Sequence, residues 1–222
     1  MFNHLMKGII CFKKYFIGTL LILPMVAEAR PVSYPTGWTT MLMNDADKNA
    51  VHVHYSPTFT YSVGYKAEYW REDEWSFHGV QVNKLLKRWN KKNSQANVYF
   101  KNAVGVAMGD ESKHGSHQEV AGFTAIAADW EDRRFFTSYE GRLTYAGDID
   151  KFFMQKARVG VAPYIGDYGD LHTWLMLQVD HNPKKTDTVE ITPLIRFFKG
   201  VNLVEVGANT KGDVLLNWVM RF

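Results

Sequence analysis

The sequence predicts an all-β chain: an antiparallel, up-and-down transmembrane β-barrel of twelve strands, or of ten if the two short segments at its start do not pair. Three observations predict this. Apolar and polar residues alternate with period two over long stretches, the signature of strands with one apolar face. Polar turn clusters recur every ten to fifteen residues and divide the chain into twelve pieces. Most pieces run eight to fifteen residues. Soluble strands usually run about five or six, whereas a tilted strand needs about nine to eleven to cross a bilayer.

The chain has 222 residues, 46% hydrophobic and 22% charged, which excludes wholesale disorder and fibrous repeats. A single Cys excludes an internal disulfide and a cysteine-built zinc site. A net charge of +3 is too weak for a nucleic-acid binder. Residues 1–29 read as a secretory signal. Lys7, Lys13 and Lys14 precede an apolar stretch, Tyr15 to Val26, broken by Gly18 and Pro24. Ala27-Glu28-Ala29 is a small-x-small cleavage site, so Arg30 becomes the mature N-terminus. The competing reading is an uncleaved anchor, for which the stretch is short against the roughly 20 residues of a spanning helix. Cys11 precedes the apolar stretch, which argues against lipidation. The mature chain, 30–222, loses its only Cys, is balanced in charge to within one, and has no apolar run long enough for a transmembrane helix.

Strands are expected near 38–45, 50–56, 58–71, 75–89, 95–108 and 119–130, then 134–146, 151–165, 171–181, 188–198, 201–208 and 213–222. The first two are short and separated by Asp45–Asn49, with Ser56-Pro57 as the following turn. In 59–69, Phe59, Tyr61, Val63, Tyr65 and Tyr69 alternate with Thr60, Ser62, Lys66 and Glu68. Residues 79–90 are ambiguous. Val82, Leu85, Leu86 and Trp89 fit a helix stripe, but Ser76 to Val82 alternates, which favours a strand with a bulge near Lys84. The alternation is clear again in 135–145 and in 189–197. Gly109–Gln118 is expected as the longest connection, on the outer side.

Alternation alone also suits a soluble periplasmic β-protein. Aromatic residues near strand ends favour a membrane: Trp38, Tyr55, Trp89, Trp130, Phe135 and Phe222 at one end, with Tyr69, Trp75, Tyr145 and Phe152 at the other. The last strand ends Val214-x-Leu216-x-Trp218-x-Met220-x-Phe222. It resembles the C-terminal assembly signal of bacterial outer-membrane β-barrel proteins. The resemblance is to the class and singles out no family within it. It implies export across the inner membrane, insertion by the barrel-assembly machinery, and a working place among outer-membrane lipids.

Inward parity assigns Lys66, Lys101, Arg142, Lys156, Arg158, Arg196 and Arg221 to the lumen with Glu68, Glu140, Asp180, Glu190 and Glu205. Seven cations and five anions imply a narrow, mildly anion-preferring channel for a small solute, or a barrel filled by ion pairs that serves structure or surface contact. Two alternatives are a metal-binding barrel and a lipid-modifying enzyme. His52 and His54 share one strand face, and His114 and His117 sit in the long outer connection. His54-Tyr55-Ser56 resembles the His-x-Ser pair of twelve-stranded outer-membrane phospholipases, although its place at a periplasmic turn is wrong for outer-leaflet lipid. Asp45, Asp47 and Asn49 begin like a calcium loop, but Ala50 and Ser56 replace the required Gly and Glu. No cofactor motif is present, and no signal reports the oligomeric state.

Overall fold

The computed structural model describes residues 31–222 except Tyr168 and Thr186; the expected signal 1–29 and Arg30 lie outside the described residues. The described residues form twelve strands: β1 (Gly37–Asn44), β2 (Lys48–Thr58), β3 (Tyr61–Trp70), β4 (Trp75–Asn90), β5 (Ser94–Gly109), β6 (Gln118–Asp132), β7 (Phe135–Ala146), β8 (Asp150–Val161), β9 (His172–His181), β10 (Glu190–Lys199), β11 (Asn202–Ala208) and β12 (Val214–Arg221). One short helix, α1 (Glu111–His114), follows β5. Each strand pairs antiparallel with its chain neighbours, and β12 pairs with β1 to close the barrel. Reciprocal backbone bonds between Trp38 and Phe222, 2.7 and 3.0 Å, extend that seam to its end. Closure leaves no unpaired edge, which a bilayer requires. Among the described residues no helix is long and apolar enough to cross a membrane.

The pleat sorts the side chains. Val104, Val120, Ile126 and Leu143 are exposed on the outer wall, while Lys66, Glu68, Arg142 and Glu205 are buried inside. An apolar exterior around a polar interior is the arrangement of bacterial outer-membrane barrels. Val214, Leu216 and Phe222 of the closing strand are exposed on the outer face, and Trp218 and Met220 share their parity. We call the end where β1 begins and β12 finishes the lower rim.

Several expectations need correction. Residues 79–90 belong to a continuous β4 with a register shift at Leu85/Lys87, one residue beyond the bulge expected at Lys84. Lys84 therefore stays on the outer face, and Leu85 turns inward. Ser56-Pro57 is not a turn. Pairing shifts between Tyr55 and Thr58, so the missing Pro57 N–H leaves no gap in a regular ladder, and the chain turns at Phe59-Thr60. Strand β8 stops at Val161 rather than 165, because Pro163 cannot donate to a ladder. The longest connection is thus 162–171 at the lower rim, not the one holding α1.

The upper aromatic girdle is also incomplete: Trp75 and Phe152 point inward. Trp70 stacks on Trp75 at 5.8 Å and meets Phe152 edge-on at 4.8 Å. Phe77, Phe123 and Met154 join them against Ala103, Ala107, Ala121 and Ala146. The alanines on β5–β7 leave the space the large rings occupy, so one side of the upper lumen is packed solid.

Candidate functional site

The interior is organised around three carboxylate centres. Glu68 on β3 accepts two hydrogen bonds from the Arg142 guanidinium on β7, at 2.7 and 2.5 Å. These strands are not neighbours, so the pair crosses the lumen. Lys66 lies 3.3 Å from the same carboxylate. Arg142 also donates to Thr144 Oγ1 and sits 3.8 Å above the Phe123 ring. Glu140 on β7 holds Lys101 on β5 at 2.5 Å, again across an intervening strand. Glu205 on β11 gathers Arg158, Arg196 and Asn217 from three other strands, at 3.1, 2.8 and 2.7 Å. A buried charge this far from bulk water persists only with partners of this kind.

These groups surround a central cavity of about 250 Å³, well above the roughly 10–15 Å³ one water needs. Its wall carries Lys48, Lys66, Lys101, Arg142, Lys156, Arg158 and Arg196 against Asp45, Glu68, Asp129, Glu140 and Glu205. Nine of the twelve charged residues assigned to the lumen by parity stand on it. Asp180 and Glu190 line a separate upper crevice of about 20 Å³ with Asp45, Asp47 and Asp213. Arg221 has inward parity near the lower rim, opposite Thr39, and is not on the cavity wall. Parity reasoning missed Lys48, because β2 begins two residues before the expected strand; its ammonium lies 4.6 Å from the Trp70 ring centroid. It also missed Asp129, which shares the odd parity of Phe123 on β6 and could have been found by extending that alternation.

Chain segments reach into the barrel at both ends. At the top, Lys184 and Lys185 reach across to other turns of the upper rim. Lys185 Nζ lies 2.9 Å from Asp47, 3.1 Å from Glu72 and 3.3 Å from Asp73, while Lys184 pairs with Asp150. Burial alone would push the Lys185 ammonium toward neutrality, but its bond to Asp47 and the other two carboxylates hold its pKa above the usual lysine range. Asp45, in the β1–β2 turn, is the counterpart. Burial would raise its pKa, but Lys48 and Lys156 outweigh that and keep the carboxyl well below the usual range. Its Oδ1 caps the turn by accepting the Asp47 and Lys48 N–H groups. At the bottom, residues 31–33 enter the lumen: Pro31 lies on the cavity wall and Val32 is buried.

The four candidate histidines fall into two distant sets. His52 and His54 lie with ring centroids 4.5 Å apart and tilted on the lower inner wall. His114 and His117 lie at the upper rim, bound to the Asp73 carbonyl and the Glu119 carboxylate. Among the described residues no three metal-ligating side chains converge. The His54 nitrogens make no hydrogen bond, and Ser56 Oγ accepts the Ser33 N–H. The His-x-Ser pair therefore lacks the base-to-hydroxyl contact of an activated nucleophile, and both side chains are buried inside rather than turned to lipid.

No protein-family model matches the chain, and no curated protein matches it. Five chains of solved structures match. One is described as a KdgM porin, 9% identical, with a TM-score of 0.47 over 84% of this chain and 98% of that one.

Proposed function

We propose that the chain is an integral barrel of the bacterial outer membrane enclosing a narrow, mildly anion-preferring conduit for small solutes. The observation that carries this reading is the central cavity, with seven cations facing five carboxylates. A barrel serving only as a scaffold would be at least as stable with apolar filling, since replacing buried ion pairs by packed apolar groups of similar volume is often neutral or stabilising. A charged lining is instead what lets a hydrated ion or small polar solute exchange its water for protein partners. The excess of two cations supports a mild preference for anions, and the acidic upper crevice opposes it. The Lys184 and Lys185 contacts across the upper rim and residues 31–33 support a resting state that is largely shut.

In this reading the lower rim faces the periplasm, the outer wall meets outer-membrane lipids, and the outward row ending at Phe222 serves the barrel-assembly machinery. The test is single-channel recording of the purified barrel in planar bilayers under a salt gradient. Small unitary steps with a reversal potential of anion sign are expected. No steps from the wild type, and none after both coverings are loosened by Lys185→Ala and Val32→Asp, would refute the conduit.

A further inference from the structure

The lower lumen holds a binding site for a short peptide segment, and the chain occupies it with its own residues 31–33. The Pro31 carbonyl accepts from Ser62 Oγ at 2.7 Å and from Asn83 Nδ2 at 3.2 Å. Asn83 is set in place by Gln81, whose amide donates to it at 2.5 Å, and it donates to Ser62 at 3.0 Å. The Ser33 N–H donates to Ser56 Oγ at 3.0 Å. Between these polar clasps the Val32 side chain is buried against Leu85, Tyr99 and Ala127. Partners for three consecutive residues thus come from β2, β3, β4, β5 and β6, nearly half the barrel wall.

The approach to the site is strained. Thr36 has φ +65°, a left-handed conformation disfavoured for a β-branched residue, and its N–H is held by the Ser56 carbonyl at 2.7 Å. A segment emerging straight from β1 would need no such bend. The bend at Thr36 returns the chain into the lumen.

We infer that Pro31–Ser33 is a built-in stopper, docked in this site and hinged at Thr36, that closes the periplasmic mouth of the conduit. The inference rests on the conduit reading, so two independent measurements are needed. The first reads docking alone. In a Cys11→Ser background, Val32→Cys should react with a membrane-impermeant maleimide far more slowly than Tyr34→Cys, whose site is exposed. Adding Ser62→Ala and Asn83→Ala removes both bonds to the Pro31 carbonyl and should speed labelling at position 32 by about tenfold or more. Equal rates for Val32→Cys and Tyr34→Cys would overturn the docked segment whatever the barrel conducts.

The second measurement reads closure. Val32→Asp places a carboxylate in the apolar pocket and should expel the segment, raising conductance or open time at least about twofold; Thr192→Ala, an inward polar change away from the segment, is the control and should not. Wild type conducting as well as Val32→Asp would reduce the segment to a bound tail and overturn the stopper. Silence from every variant, with labelling at position 32 released as expected, would instead remove the conduit and the stopper's role together.

Discussion

Replacing Glu68 by Gln is expected to destabilise the folded barrel by about 3 kcal/mol. The Glu68 carboxylate is fully buried and the Arg142 side chain nearly so. The substitution weakens two charge-assisted hydrogen bonds, of 2.7 and 2.5 Å, each worth about 1.5–3 kcal/mol. It also strands two cations, Arg142 and Lys66; removing one partner of a buried pair typically costs about 3–5 kcal/mol. The lower end applies because Gln keeps the volume and one acceptor, while Arg142 keeps Thr144 and the Phe123 face. Three kcal/mol is roughly a hundredfold in the folding equilibrium. Urea titration of the barrel in lipid vesicles, followed by tryptophan fluorescence, measures it. Adding Arg142→Met should recover much of the loss by removing one orphaned charge. A loss below about 1 kcal/mol, the value of a solvated surface pair, would refute the buried cross-lumen bridge.

Further outcomes follow from the same geometry. Arg158→Gln leaves Glu205 its bonds to Arg196 and Asn217, so the barrel should persist while the anion preference falls; an unchanged reversal potential would take Arg158 out of the pathway. Brominated lipid should quench Trp89 and Trp130, which are exposed on the outer face, and spare Trp70 and Trp75; Trp75→Ala should cost about 3–5 kcal/mol by opening a cavity, and quenching of Trp75 would contradict its inward placement. Asp45 has a folded pKa below its unfolded one. Its stabilisation is therefore present above the ordinary carboxylate range near about pH 4 and lost as pH falls through and below it. The stability gap between wild type and Asp45→Asn should shrink on acidification, and a gap that widens would reverse the assigned sign.

Much of this was legible in the sequence because strand alternation is local. Whether a side chain faces lipid or lumen depends on parity, and parity from Val80 and Val82 already places Trp75 and Phe77 inside. Trp75 and Phe152 were misread because position near a strand end was given more weight than parity. The β8 terminus was misread because Tyr164 and Ile165 continue the apolar character past a proline that breaks the ladder.

By itself the sequence determined an antiparallel barrel of ten or twelve strands, its apolar exterior and most of its charged lining, since each follows from period two and from turn residues acting on adjacent chain. Only the tertiary structure decided which charges meet. Glu68 finds Arg142 seventy-four residues away, Lys185 ties one side of the upper rim to the other, and Pro31 reaches Ser62 and Asn83 inside the wall. Those partnerships depend on the curvature and shear of the closed sheet, which sets what stands opposite across the lumen, and no local pattern carries that information.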